Sequence, residues 1–73
     1  MDQQRFLTEL AGILEAGPLT LDRPLTDGNW DSVAMLSTIA LVDELCDVSL
    51  SGRDLSQCTT PKDILDLIER TKA

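Results

Sequence analysis

The segment from residue 30 to residue 46 constrains the fold of this 73-residue chain more than any other. Apolar side chains recur at helical period along one face of it, and most of the remaining circumference is apolar as well. The face consists of Leu36, Ile39, Val42 and Cys46, and the other apolar positions are Ala40, Leu41 and Leu45. A helix that is apolar on most sides is buried on most sides. We therefore predict that this helix lies in the middle of the fold.

The start of this central helix is marked by a carboxylate. Asp31 precedes the first periodic residue, where its side chain can accept the backbone N–H of Ala34 and lie at the positive end of the helix dipole. Ser32 is then the first helical residue, and its hydroxyl points toward solvent. A phosphate attached at such a position is favoured, because helix N-termini bind anions.

A first helix and a long loop precede the central helix. Apolar residues at helical spacing predict a helix from about Asp2 to Ala16, with Gly17 as its left-handed cap and Pro18 as its stop. Residues 18–30 hold two further turn signals and predict an ordered connection. The apolar helix positions are Phe6, Leu7, Leu10, Ile13 and Leu14, and the loop residues expected to pack inward are Leu19, Leu21 and Leu25.

Two more helices follow the central one. Val48 and Leu50 are expected to anchor the connection over residues 47–52, and a helix of one or two turns over 53–57 carries Leu55, with Ser51 or Asp54 as its cap. Thr60, Pro61 and Asp63 resemble a capping box that starts a last helix, whose buried face is Ile64, Leu65, Leu67 and Ile68. We predict one all-α domain over residues 1–73, a small four-helix bundle with three main helices and one short third helix.

The charge of the chain excludes one class of partner. Thirteen acidic and six basic residues give a net charge of −7, and nucleic-acid binding needs clustered Lys and Arg. Five acids and no basic residue lie between Pro24 and Gly52. These acids, Asp27, Asp31, Asp43, Glu44 and Asp47, predict a negative field that steers partners with basic surfaces, although a solvated acidic surface that keeps a small protein soluble explains any single one of them equally well.

Other residue types limit the chemistry further. The chain has no His, so Ser32 lacks the base of a nucleophilic triad, and the acidic pairs show no sign of a catalytic or metal site. We predict that Cys46 and Cys58 are small buried apolar residues in a reducing compartment, and we expect the protein to be cytoplasmic. No apolar run is long enough to cross a bilayer. We expect neither an enzyme, nor a metal site, nor a membrane span.

The residues around Ser32 resemble a known family. Asp31-Ser32-Val33 at the head of an apolar helix is similar to the Asp-Ser-Leu motif of acyl carrier proteins, and the family's spacing continues to Ile68. The matching positions are Leu36, Ile39 and Val42, Asp43 and Glu44, Val48 and Leu50, Thr59 and Thr60, and Asp63 and Ile68. Val33 replaces the usual leucine, and Ser37 stands where fatty-acid carriers commonly have a glutamate. These departures favour a specialised carrier over the housekeeping fatty-acid carrier.

The resemblance implies a covalent cofactor. In that family the serine bears 4′-phosphopantetheine, which here falls on Ser32 with Asp31 as the adjacent cap. It also implies a carrier that holds acyl or aminoacyl groups as thioesters and shuttles them between biosynthetic enzymes. The implied partners are a phosphopantetheinyl transferase, an acyl- or aminoacyl-activating enzyme and acyl-transfer enzymes, which a monomer would meet through Trp30, Val33, Ser37, Ala40, Asp43 and Glu44.

One alternative belongs to a different class. The chain can instead be an unmodified helical adaptor for protein contacts, in which Ser32 is only a helix-cap residue. Trp30 also has two interpretations: its ring either contacts partners or folds over the loop leucines. The residues alone leave both questions open.

Overall fold

Four α-helices make up the described part of the chain, which in this computed structural model is residues 3–72 and, for Asp27, the backbone alone. They are α1 (Gln3–Leu14), α2 (Ser32–Cys46), α3 (Gly52–Leu55) and α4 (Pro61–Lys72), with a 3₁₀ turn at Leu25–Asp27. No strand occurs over these residues. Both α1 and α3 pack against α2. The predicted all-α bundle with a short third helix is confirmed.

One aliphatic core joins the four helices. Phe6, Leu25, Val42, Leu55 and Ile64 have no exposed surface, so each of the four helices and the 3₁₀ turn contributes at least one fully buried side chain. Val48 and Leu50 are buried as expected, whereas Leu19, Leu21 and Leu65 are half-buried and pack against the core. The remaining buried apolar residues are Leu7, Leu10, Leu14, Ala34, Leu41, Cys58, Leu67 and Ile68.

The end of α1 differs from the prediction. The helix ends at Leu14, and the left-handed residue is Glu15, with φ of 54°, and not Gly17. The N–H of Ala16 donates to the carbonyl of Ala11 at 3.0 Å and that of Glu15 to Gly12 at 3.3 Å, which is the Schellman pattern. The sequence signal at Gly17 therefore marks the loop after the helix and not its cap. The predicted start at Asp2 lies outside the described residues.

The connection from residue 15 to residue 31, called loop 1 below, is ordered by its own backbone. The Leu25 N–H donates to the Thr59 carbonyl at 2.8 Å, and the Asn29 N–H donates to the Leu14 carbonyl at 2.8 Å. The Leu21 carbonyl accepts the N–H of Lys62 at 3.0 Å. These three bonds fasten loop 1 to α1, to α4 and to the segment between α3 and α4. A long connection thus keeps a single path to the start of α2.

The inward face of α2 differs from the predicted one. Leu36 is 67% exposed, and the buried residues are Ala34, Thr38, Leu41 and Val42. Ile39, Leu45 and Cys46 are half-buried. Apolar residues of α2 lie on most sides of the helix, so the sequence periodicity does not single out one face. Thr38 can be buried because its hydroxyl donates to the Ala34 carbonyl at 2.8 Å.

The third helix is shorter than predicted, and its N-cap is Ser51, one of the two predicted capping residues. It spans Gly52–Leu55, and the Ser51 hydroxyl accepts the N–H of Asp54 at 3.1 Å. Leu55 is fully buried, as predicted. One turn is enough because the apolar anchor, and not helix length, holds this segment in place.

The predicted capping box at the start of α4 is confirmed. The Thr60 hydroxyl accepts the Asp63 N–H at 3.3 Å, and the Asp63 carboxylate accepts the Thr60 N–H at 3.2 Å. The same carboxylate accepts the Thr59 N–H at 3.0 Å and the Thr59 hydroxyl at 2.7 Å. The Thr59 N–H and hydroxyl, with the Thr60 N–H, hold the pKa of Asp63 below its ordinary value of 3.8.

This lowered pKa makes the stability of the fold sensitive to acid. A carboxylate whose pKa is lower in the folded chain stabilises it above the unfolded pKa, and that contribution disappears as the pH falls through the folded pKa. We expect Asp63→Asn to reduce the free energy of unfolding at neutral pH and to flatten its decline below about pH 5. Urea denaturation followed by circular dichroism at a series of pH values measures both effects.

The matched control is Asp66→Asn, one turn along α4. The Asp66 carboxylate forms an exposed ion pair with Lys62 at 3.2 Å and caps no helix, so its removal should change the free energy by less. Equal flattening by the two variants would contradict the assignment of the acid sensitivity to Asp63.

Candidate functional site

The first turn of α2 is built around the side chain of Asp31. This residue has extended backbone angles, φ −126° and ψ −173°, and its carboxylate accepts the Ala34 N–H at 2.8 Å. Its carbonyl accepts the first helical bond, from Met35 at 2.9 Å. Both are the features of an N-cap, so the predicted cap and the predicted start of the helix at Ser32 are confirmed.

Ser32 is exposed, and its hydroxyl has no hydrogen-bond partner among residues 3–72. The backbone N–H groups of Ser32 and Val33 have no acceptor within the helix, because the first turn lacks preceding carbonyls. Asp31 occupies only the N–H of Ala34. The hydroxyl oxygen is therefore accessible, and unpaired N–H groups at the positive end of the helix lie next to it.

An exposed strip continues from Ser32 along α2. Its members follow one another at helical spacing and are Ser32, Val33, Leu36, Ser37, Ala40, Asp43 and Glu44, called the outer face of α2 below. Val33 and Leu36, at 68% and 67% exposure, are the large apolar side chains most open to solvent over the described residues. The half of the strip nearest Ser32 therefore has no charged residue and exposes two large apolar side chains.

Leu36 belongs to this strip, although the helical pattern predicts it on the buried face. A signal was available. Leu36 is four positions after Ser32, and residues four apart lie on the same side of a helix. Once the cap at Asp31 directs Ser32 outward, Leu36 must point outward with it.

The other end of the outer face is acidic. Asp43 and Glu44 are exposed, and neither takes part in an ion pair within residues 3–72. Asp47 ends the helix in the left-handed conformation, with φ of 56°, and its N–H donates to the Asp43 carbonyl at 3.0 Å. Asp is among the few residue types that tolerate this conformation. Three carboxylates thus lie within two turns of one another, with no cation beside them on the helix.

Trp30 lies in loop 1, directly before the cap residue Asp31. Its ring is half-buried and packs against the core. Part of the ring remains accessible one residue before Asp31. The structure therefore gives Trp30 a packing role, as one of the two interpretations stated.

The remaining reactive side chains do not form a catalytic centre. Cys58 is buried; its Sγ donates to the Asp54 carbonyl at 3.7 Å, and burial, followed by the nearby charge of Asp63, raises the pKa of the thiol. Cys46, predicted to be buried, is half-buried. A raised thiol pKa disfavours the nucleophilic thiolate.

One cavity in the fold lies away from Ser32. A cavity of about 590 Å³ lies between α3 and α4, and no residue of α2 lines it. Over residues 3–72, no group of three or more potential ligands could hold a metal ion. In the same part of the chain, no helix is long and apolar enough to cross a membrane.

The described residues place an exposed serine on a capped helix tip of a small helical bundle, an arrangement that suits a group tethered at the helix tip. The family model for the phosphopantetheine attachment site matches residues 4–68. The chain therefore belongs to the phosphopantetheine-attachment family. A search of curated proteins finds no match.

Family membership defines the general role of the chain. Domains of this family carry a covalently attached 4′-phosphopantetheine and are not catalysts, so the chain is a carrier and not an enzyme. The residues present fit such a group: the accessible Ser32 hydroxyl offers an attachment point, and the neighbouring first-turn N–H groups suit a phosphate.

The cap at Asp31 gives a stability prediction. Asp31→Ala removes the acceptor of the Ala34 N–H and should cost about 1 kcal/mol of unfolding free energy. Asp31→Asn keeps an acceptor oxygen at the same place and should cost less, since Asn is an equally good N-cap. Urea denaturation of the two variants measures the difference. A larger loss for Asp31→Asn than for Asp31→Ala would contradict the assigned cap.

Proposed function

We propose that this chain holds acyl or aminoacyl groups as thioesters on a 4′-phosphopantetheine arm attached to Ser32 and passes them between biosynthetic enzymes. The observation that carries this proposal is the accessible Ser32 hydroxyl at the capped N-terminus of α2. The arm, once attached, supplies a thiol for the thioester. Everything else required of the protein is to hold and present Ser32.

The other serines are less suitable attachment points. The hydroxyls of Ser51 and Ser56 already form hydrogen bonds, to the N–H of Asp54 and the carbonyl of Arg53. Ser37 is exposed in the middle of α2 and Ser49 in the connection that follows, where no unpaired helical N–H groups face a phosphate. Ser32 combines access with an anion-binding helix end.

The outer face of α2 supports a docking role for the helix. A partner enzyme that reaches Ser32 also contacts Val33 and Leu36. Burial of their exposed apolar surface in the interface favours binding. Asp43 and Glu44 lie further along and attract basic side chains over a longer range. We propose that the phosphopantetheinyl transferase and the acyl-handling enzymes bind here, with Ser37 and Ala40 between the two parts and Trp30 at the edge.

The same observations favour a monomer. The large exposed apolar residues of the described chain lie together beside Ser32, where a permanent second copy would cover the attachment point. We further propose the cytoplasm as its compartment, because a thiol-bearing arm works best where thiols stay reduced.

Modification of Ser32 is the direct test. The unmutated chain, incubated with coenzyme A and an active phosphopantetheinyl transferase, should gain the mass of one phosphopantetheine, and Ser32→Ala should gain none. Ser37→Ala, an exposed serine five positions along the same helix, is the matched control and should gain one. Intact-mass spectrometry reads all three. A bare Ser32 in the folded chain under active transferase would favour the unmodified adaptor instead.

The acidic end of the outer face gives a second test. We expect Glu44→Lys to lower kcat/KM for the transferase about fivefold at low salt, by raising KM, with little change at high salt. Glu69→Lys makes the same charge change at an exposed position of α4 and should have a smaller effect. Modification rates at several carrier and salt concentrations measure this. Equal effects of the two variants would mean that net charge alone matters.

A further inference from the structure

Gly28 lies at the point where loop 1 touches the end of α1. A Cβ atom on this residue would be 2.8 Å from Leu14 Cβ, 3.1 Å from the Leu14 carbonyl oxygen and 3.3 Å from Ala16 Cβ. The backbone of Gly28 is extended, with φ −109° and ψ −162°, which any residue can adopt. Glycine is therefore required here by lack of space and not by its conformation.

This close approach makes a hydrogen bond possible. The next residue, Asn29, donates its N–H to the Leu14 carbonyl at 2.8 Å. That carbonyl belongs to the last turn of α1, where the helix supplies no donor for it. Leu14 is 1% exposed, so its side chain has no room to move away from a larger residue at position 28. The contact is thus fixed on the side of α1.

The bond from Asn29 is the last of the three fastenings of loop 1 before α2 begins. Only Trp30 and Asp31 separate Asn29 from Ser32, and Asp31 is committed to the cap of α2. The Asn29 bond therefore ties the first turn of α2 to α1. The outer face further along α2 is held separately, through the packing of Thr38, Leu41 and Val42.

We propose that Gly28 is a positioning residue for the modification of Ser32, an inference that rests on the proposed function. A Cβ at position 28 would be 2.8 Å from the Cβ of Leu14, and carbon atoms prefer a separation of about 3.5 Å or more. A side chain at this position therefore pushes loop 1 away from Leu14. The first turn of α2, with Ser32 and Val33, moves with loop 1, while the rest of the outer face, from Leu36 onward, stays in place. A transferase docked on the outer face then finds the Ser32 hydroxyl displaced.

The test compares Gly28→Ala with Gly17→Ala in transferase kinetics. Gly17 is also in loop 1, and a Cβ there would meet no atom within 4 Å. We expect Gly28→Ala to lower kcat about tenfold or more with KM nearly unchanged, since a misplaced reacting group slows the chemical step. Gly17→Ala should match the unmutated chain. Rates are expressed per folded molecule, from thermal melts of each variant.

Each outcome decides the question. A higher apparent KM with unchanged kcat means that Gly28 affects docking and not the position of Ser32, and a loss that follows only the unfolded fraction means that it acts on stability alone. Either result overturns the proposal. Equal kinetics for the two variants also overturn it. If the unmutated chain is not modified either, the proposed function itself fails.

A second measurement uses the unmutated chain and so does not depend on whether Gly28→Ala folds. Amide hydrogen exchange of the unmutated chain, followed by NMR, should find the Asn29 N–H protected at least tenfold relative to the N–H of Asp22, an exposed residue of the same loop. If the Asn29 N–H exchanges as fast as that of Asp22, the hydrogen bond to the Leu14 carbonyl is not stably formed. The proposal then fails, whatever the kinetics of Gly28→Ala.

Discussion

The path of loop 1 is the constraint on which the rest of the structure depends. Its backbone is fastened to three other segments by hydrogen bonds at Leu21, Leu25 and Asn29, and Leu25 is fully buried. Without these bonds a connection this long would have many paths to the start of α2. With these bonds loop 1 follows a single path to Asp31. The cap at Asp31 then fixes the start of α2 so that Ser32 and Leu36 face outward.

Local signals in the sequence were enough for the number and order of the helices and for the candidate attachment site. The N-cap at Asp31 and the capping box around Asp63 depend on residues within four positions of each other, so both could be predicted and are confirmed. The attachment point follows from the same local pattern. Its assignment to Ser32 stays a prediction until the modification is measured.

Other features depend on distant partners and could not be predicted. The face that α2 buries is decided by what packs on it, and a helix apolar on most sides gives periodicity no preference, so Leu36 was placed inside and Thr38 was overlooked. The end of α1 is similar: Glu15 takes the strained left-handed angle, although Gly17 was available two positions later. The role of Gly28 also depends on contact with Leu14, fourteen positions away.

The placement of Trp30 gives this carrier a built-in optical reporter. It is the sole tryptophan of the chain, its indole is partly shielded by the core, and it is two residues before the proposed attachment point. Indole emission responds to changes in local polarity, and no other residue of this kind contributes background. Events at the tip of α2 can therefore be followed by light emission in real time, on the native chain and without a chemical label.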